Sequence, residues 1–109
     1  MTARLPQIIG SYVEAYNRRD QKAAANCFSK NAVVHDEGME HRGKEAIGEW
    51  IGATTEKYRP LLTVGAIEGA GGETVVAMTV SGSFPGSPVT LAFHFALENN
   101  TIVRLDIVP

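Results

Sequence analysis

The sequence is poor in several residue types, and each shortage excludes a class of protein. Its 109 residues include a single cysteine, Cys27, so no intrachain disulfide can form and a reducing compartment is expected. The net charge is only −2, and no basic stripe is present to attract nucleic acid or anionic lipid. No apolar run, residues 1–10 included, is long enough for a secretory signal or a membrane span. We therefore expect a cytoplasmic protein that binds neither nucleic acid nor membrane.

The sequence does have enough apolar residues for one modest core. Its hydrophobic fraction is 44% and its charged fraction is 20%, as in ordinary globular proteins. Repeats, low-complexity tracts and linker-like segments are lacking. We expect a single domain over residues 1–109.

The first half has the periodicity of helices. An amphipathic first helix is predicted by an apolar stripe with helical spacing. The members of this stripe are Leu5, Ile8, Ile9, Tyr12, Val13 and Tyr16. Asp20 is predicted to be the N-cap of a short second helix, QKAAANCFS, whose apolar face includes Phe28. A third helix is predicted from Lys44, with Trp50 on its apolar face, and continues to Tyr58.

The second half has the alternation of strands. The predicted strands are LLTVGAIE, ETVVAMTVSGSF, VTLAFHFALE and TIVRLDIV, and Asn99 and Asn100 mark a tight hairpin between the last two. Another strand, AVVHDE, precedes the third helix. This order predicts an α+β fold in which three N-terminal helices pack in the concave face of a curved, mostly antiparallel sheet.

The strand AVVHDE ends in ionisable residues, which is unusual for a strand that looks buried. Because strand side chains alternate between faces, Asp36 shares the core side with Ala32 and Val34, and His35 and Glu37 point the other way. Asp36 is then either a structural acid at a strand end or a base held in a pocket.

Tyr12 and Tyr16 lie one turn apart on the buried stripe of the first helix. A buried phenol needs a hydrogen-bond partner, which is either a backbone carbonyl or a ligand oxygen. An inward carboxylate and an inward phenol in one apolar cavity would act as a base and an oxyanion donor.

Three other sequence patterns do not indicate a functional site. The segment HDEGMEH is rich in metal-ligand types, but alternation separates His35 from Asp36 and no helical histidine pair exists, so no metal is expected. His94 is opposite in parity to Phe93 and is expected on the outer face of the sheet. The glycine-rich turn at 69–72 does not open a helix, so a phosphate cradle is not expected.

Two stretches, SYVEAYNRRDQKAAANCFSKNAVVHDEG and RGKEAIGEWI, carry a family resemblance. Its main features are Tyr12, Asn17, Asp20, the block CFSKNAVVHD, and the spacing of Gly43, Ala46, Ile47 and Trp50. The pattern resembles the nuclear transport factor 2-like superfamily, and within it the SnoaL-like polyketide cyclase and ketosteroid isomerase branch. The resemblance implies a cystatin-like cone, although this fold hosts many unrelated activities.

Carried over residue by residue, the resemblance implies that Asp36 is the proton-abstracting base and that Tyr12 is the donor to the oxyanion. The second donor of the isomerases, a protonated carboxylic acid, falls at Phe93, which cannot donate. The implied ligand is a small, largely apolar molecule with a carbonyl. The implied reaction is cofactor-independent proton abstraction beside that carbonyl, as in isomerisation or aldol cyclisation.

Aromatic residues are expected to line the cavity of such a cone. They are Tyr16, Phe28, Trp50, Tyr58, Phe84 and Phe93. Each of them could instead be an ordinary core residue. The alternative function is therefore a non-catalytic ligand-binding or dimerisation domain, in which Asp36 is structural and the outer sheet face is the functional surface.

The long strands carry apolar residues on both faces. Val76 and Met78 alternate with Val75 and Ala77, and the last strand also has apolar residues on both faces. There, Val103, Leu105 and Ile107 alternate with Ile102 and Val108. One face would cover the core and the other would expose an apolar patch, so we expect a two-fold homodimer through the outer face.

Overall fold

Three helices and six strands make up residues 4–109, the part of the chain that this computed structural model describes. The helices are α1 (Gln7–Asn17), α2 (Gln21–Ala25) and α3 (Lys44–Tyr58). The strands are β1 (Phe28–Asp36), β2 (Met39–Arg42), β3 (Leu61–Ala70), β4 (Glu73–Ser81), β5 (Val89–Glu98) and β6 (Thr101–Val108). The first three positions of the predicted 1–109 domain lie outside the described residues.

The strands form one sheet in the order β2-β1-β6-β5-β4-β3. All neighbours are antiparallel except β1 and β6, which run parallel. The helices pack on the inner face of this curved sheet, and the core lies between the two layers. The predicted α+β cone is confirmed. No helix in residues 4–109 combines the length and the apolar character needed to cross a bilayer.

Helix α1 forms as its apolar stripe predicts, with Tyr12 and Tyr16 on the buried side. Its C-terminal end is attached to β3 by Asn17. The side-chain Nδ2 of Asn17 donates to the Leu62 carbonyl at 2.9 Å, and the Leu62 amide donates to Asn17 Oδ1 at 2.8 Å. Arg19 adds bonds to the carbonyls of Arg59 and Pro60. These contacts hold both tyrosines over the sheet.

The second helix is shorter than predicted. Asp20 is its N-cap, as expected, and accepts a bond from the Ala23 amide. The helix ends at Ala25, however, and Phe28 opens β1 rather than closing α2. The reason is non-local, since the Cys27 carbonyl accepts the Ile102 amide at 2.9 Å and so starts the parallel pairing with β6.

The simple alternation predicted for β6 is wrong at one point. The register between β5 and β6 shifts between Ala96 and Leu97, so that Ile102 and Leu105 are both buried. A β-bulge inserts one extra residue into a strand, so two residues three positions apart can point to the same face of the sheet. Asn99 and Asn100 form the predicted hairpin turn, with φ of 51° and 59°.

Candidate functional site

A cavity of about 530 Å³ opens between α1, α3 and the inner face of the sheet. Most of its wall is apolar, with a few polar groups from α1, α3 and the end of β1. The lining residues are Tyr12, Tyr16, Asp36, Glu37, Trp50, Thr54, Tyr58, Pro60, Leu62, Val80, Phe84, Pro85, Val89, Leu91, Phe93, Ile107, Val108 and Pro109. Seven of the eight site residues predicted from the sequence are in this list.

Asp36 lies where the alternation of β1 predicts. Ala32 and Val34 are fully buried, and Asp36 follows them at the edge of the core, partly buried and on the cavity wall. The indole Nε1 of Trp50 donates a hydrogen bond to Asp36 Oδ2 at 3.2 Å. Burial raises the pKa of the Asp36 carboxyl, and the Trp50 bond opposes part of this rise. The neighbouring Glu37 charge also raises this pKa.

Trp50 is held between two elements. It is on the cavity side of α3, and its ring stacks on His41 of β2, with centroids 5.6 Å apart and planes at 28°. The indole is only 8% exposed, so its N–H has little access to water. The packing of α3 against β2 therefore positions the indole N–H that donates to Asp36.

The two tyrosines of α1 line the cavity side by side. Their ring centroids are 5.8 Å apart, and Tyr12 is 1% exposed. Burial raises the pKa of the Tyr12 phenol well above its usual value, and the nearness of Tyr16 and Asp36 raises it further. Burial and Asp36 also raise the pKa of Tyr16. Both phenols are thus protonated donors at neutral pH, within electrostatic reach of Asp36.

Phe28 was expected to line the cavity, and the structure corrects this. Its side chain is fully buried and packs edge-on against the Tyr12 ring at 5.5 Å, on the core side. Because Phe28 begins a strand rather than ending a helix, its side chain supports Tyr12 from behind. Phe93 does line the cavity, with its ring stacked on Phe95 at 6.2 Å.

Glu37 was expected on the outer face and instead lines the cavity. It leaves the strand alternation because it begins the turn to β2, with a φ of 53° in the left-handed region. The cavity therefore has two adjacent carboxylates at one end. No simple parity rule predicts the second of them.

The histidines of the outer face lie away from the cavity. His35 Nδ1 is 2.7 Å from Asp106 Oδ1, and its Nε2 is 3.0 Å from Glu40 Oε1. His94 is on the outer face, as predicted, with its Nδ1 3.5 Å from Glu73 Oε1. Within residues 4–109, no three His, Cys, Asp or Glu side chains are arranged to hold a metal ion.

Sequence reasoning missed most of the apolar wall. The sheet contributes Leu62, Val80, Val89, Leu91, Ile107 and Val108, and the turns contribute Pro60, Pro85 and Pro109. Thr54 could have been found, because it lies between Trp50 and Tyr58 on the same face of α3 at four-residue spacing. The others follow only from the register and curvature of the sheet.

Comparison with known proteins identifies a family and a fold. The family described as SnoaL-like domain matches residues 9–105. A candidate polyketide cyclase from Sinorhizobium meliloti is 37% identical, with 94% of each chain covered and a TM-score of 0.91. No curated protein matches the chain at a significant level.

Two more distant solved structures share the fold. A hypothetical protein from Catenulispora acidiphila with a ketosteroid isomerase-like fold, solved in complex with trimethylamine, is 18% identical, with a TM-score of 0.85. The match covers 97% of this chain and 87% of the Catenulispora chain. An epoxide hydrolase/cyclase-like enzyme of pyran ring formation in salinomycin is also 18% identical, with a TM-score of 0.82 and coverage of 94% and 87%.

Proposed function

The chain belongs to the SnoaL-like domain family, within the nuclear transport factor 2-like superfamily, and from that premise we propose that it is a cofactor-independent enzyme. Its substrate is a small, largely apolar molecule with a carbonyl group. The reaction is removal of a proton next to that carbonyl, as in an isomerase or a cyclase. Asp36 is the general base and Tyr12 is the donor to the enolate oxygen.

The observation that carries the proposal is one hydrogen-bonded carboxylate on the wall of an apolar cavity. The Asp36 carboxylate accepts a hydrogen bond from Trp50 Nε1 at 3.2 Å. A carboxylate has about four acceptor sites, so at least one remains for a substrate proton. Its raised pKa brings the carboxylate closer in basicity to the weak carbon acids that it has to deprotonate.

The Tyr12 phenol supports stabilisation of the enolate. The ring is clamped by edge-on contacts with Phe28 at 5.5 Å and Phe95 at 6.1 Å, so its direction is pre-set. A fixed donor in a mostly apolar cavity stabilises developing negative charge without reorganisation. Because its pKa is raised, the phenol keeps its proton while it donates.

Tyr16 is our candidate for the second donor, which Phe93 cannot provide. Both residues line the cavity, and the Tyr16 ring is 5.8 Å from Tyr12. Two phenols one turn apart would share the oxyanion in place of a phenol and a carboxylic acid. The amine held by the Catenulispora relative and the cyclase description of the salinomycin enzyme support a ligand cavity in this fold.

The proposal is tested without knowing the substrate, through exchange of α-protons. A cyclic ketone is incubated with the protein in D₂O, and deuterium incorporation next to the carbonyl is followed by NMR. Asp36→Asn keeps the size of the side chain but removes the base, so the exchange rate should fall by about 10² or more. Tyr12→Phe should lower the rate by a similar factor, since one oxyanion donor is lost.

The matched control is Glu98→Gln, which removes one exposed negative charge from the last residue of β5. This variant should exchange as fast as the wild type. Exchange that is equal in wild type and Asp36→Asn, with both proteins folded, rules out the catalytic role. The alternative, a non-catalytic binding domain, then stands.

A further inference from the structure

The charges on the cavity wall are all of one sign. Among the described residues that line it, the charged side chains are Asp36 and Glu37, and the rest of the wall is apolar, aromatic or uncharged polar. Glu37 is an exposed acidic residue at the turn that follows β1. Asp36 accepts the Trp50 N–H, a bond that favours its ionised form. An apolar cavity with two carboxylates at one end concentrates a negative potential.

The aromatic side chains of the wall add to this preference. Tyr58 and Phe84 meet edge to face, with centroids 5.8 Å apart, and Tyr12 and Tyr16 are tilted at 53° to each other. Aromatic faces attract cations through their quadrupole, and alkylated ammonium groups are suitable partners. Tyr58 already makes a cation–π contact within the protein, since Lys57 Nζ lies 5.0 Å from its ring centroid.

We infer that the cavity selects ligands that carry a positive charge, an ammonium group on a largely apolar frame, over neutral ligands of the same shape. The ammonium group binds at the Glu37 end of the cavity, between the carboxylate and the aromatic rings. This inference deepens the proposed function, since it names the class of carbonyl compound that the site would accept. The same charges weaken the binding of carboxylate-bearing compounds.

Lys57 sets the limit of the effect. It is exposed, and it does not line the cavity, but its pKa is raised, first by Tyr58 and more weakly by Glu37. Its ammonium group is therefore within electrostatic reach of the carboxylate that a ligand cation would use. Removal of the Lys57 charge should make the cavity more selective for cations, whereas removal of the Glu37 charge should make it less selective.

The test uses two phenols of nearly equal shape, 4-(trimethylammonio)phenol and 4-tert-butylphenol, at low ionic strength and neutral pH. Trp50 is the single tryptophan and lines the cavity, so its fluorescence reports on binding. We expect the cation to bind about fivefold more tightly, the effect of one ion pair at close to 4 Å in water-like surroundings. Equal or weaker binding of the cation overturns the inference.

Glu37→Gln should abolish most of this preference, mainly by weakening the binding of the cation. Glu68→Gln is the matched control, because Glu68 is an exposed acid on β3 paired with Val75 on the outer face. An equal loss of preference in both variants overturns the assignment to Glu37. If Glu37→Gln does not fold, Lys57→Gln is used; an increased preference supports the inference, and an unchanged or reduced one overturns it.

The outcome is independent of catalysis. A protein that prefers the cation but does not exchange α-protons supports the charge selectivity and refutes the base role of Asp36. A protein that exchanges α-protons but binds both phenols equally supports catalysis and refutes the charge selectivity.

Discussion

The hydrogen bond from Trp50 to Asp36 leads to a quantitative prediction about the base. Trp50→Phe keeps an aromatic ring on α3 but removes the indole N–H that lies 3.2 Å from Asp36 Oδ2. The lost bond favours the ionised carboxylate, so the pKa of Asp36 should rise in the variant.

The size of the rise follows from the geometry. A hydrogen bond to a charged group contributes about 1.5–3 kcal/mol, and a length of 3.2 Å is at the long end of the usual range. We therefore take the lower figure, about 1.5 kcal/mol, which corresponds to about one pH unit. The pH at which α-proton exchange reaches half its maximum should move upward by the same amount.

The assay is an NMR titration of the Asp36 carboxyl carbon in wild type and variant. Tyr58→Phe is the control, because it removes a polar atom from another lining ring that makes no bond to Asp36. Circular dichroism establishes that both variants are folded. An Asp36 pKa that is unchanged or lower in Trp50→Phe would refute the view that Trp50 tunes the base.

Three further predictions concern stability and assembly. Burial raises the folded-state pKa of Asp36 above its unfolded value, so the contribution of Asp36 to the free energy of unfolding is largest at low pH and falls as the pH rises from the unfolded pKa to the folded pKa. In urea unfolding over a pH series, wild type should lose stability relative to Asp36→Asn between these two pKa values. The same pH dependence of stability in both proteins would contradict the raised pKa. Asn17→Ala removes both bonds to the Leu62 backbone and should cost about 1–3 kcal/mol, seen as a drop of several degrees in Tm; an unchanged Tm would show that the link contributes nothing. The homodimer through the outer sheet face stays a prediction. Ala92→Arg, next to Ala77 on that face, should convert dimer to monomer in sedimentation, and a monomeric wild type at micromolar concentration would exclude the dimer.

The outer face is less apolar than the sequence pattern predicts. Val75 and Ala77 are there, as expected, but His35, Asp106 and Arg104 form a polar network beside them. Charged residues at alternate strand positions were visible in the sequence. Which of them become cross-strand neighbours depends on register, and so their pairing was not predictable.

The parts of the site that could be predicted depend on local periodicity. The helical stripe places Tyr12 on the inner side of α1, and strand alternation places Asp36 on the inner side of β1. The errors arise where long-range contacts decide. Phe28 leaves the helix because β6 pairs with the chain just before it, and Glu37 turns inward because its backbone becomes left-handed. The bond between Trp50 and Asp36 depends on how α3 crosses β1 and β2, which no local pattern records.

The last two residues of the sequence, Val108 and Pro109, form part of the cavity wall. A purification tag joined to Pro109 would therefore start inside the rim of the site. A polyhistidine tag in that place would bring imidazole groups towards Asp36 and Glu37, the charged side chains among the described residues of the wall. Affinities and exchange rates measured on such a fusion would describe the tag as much as the cavity.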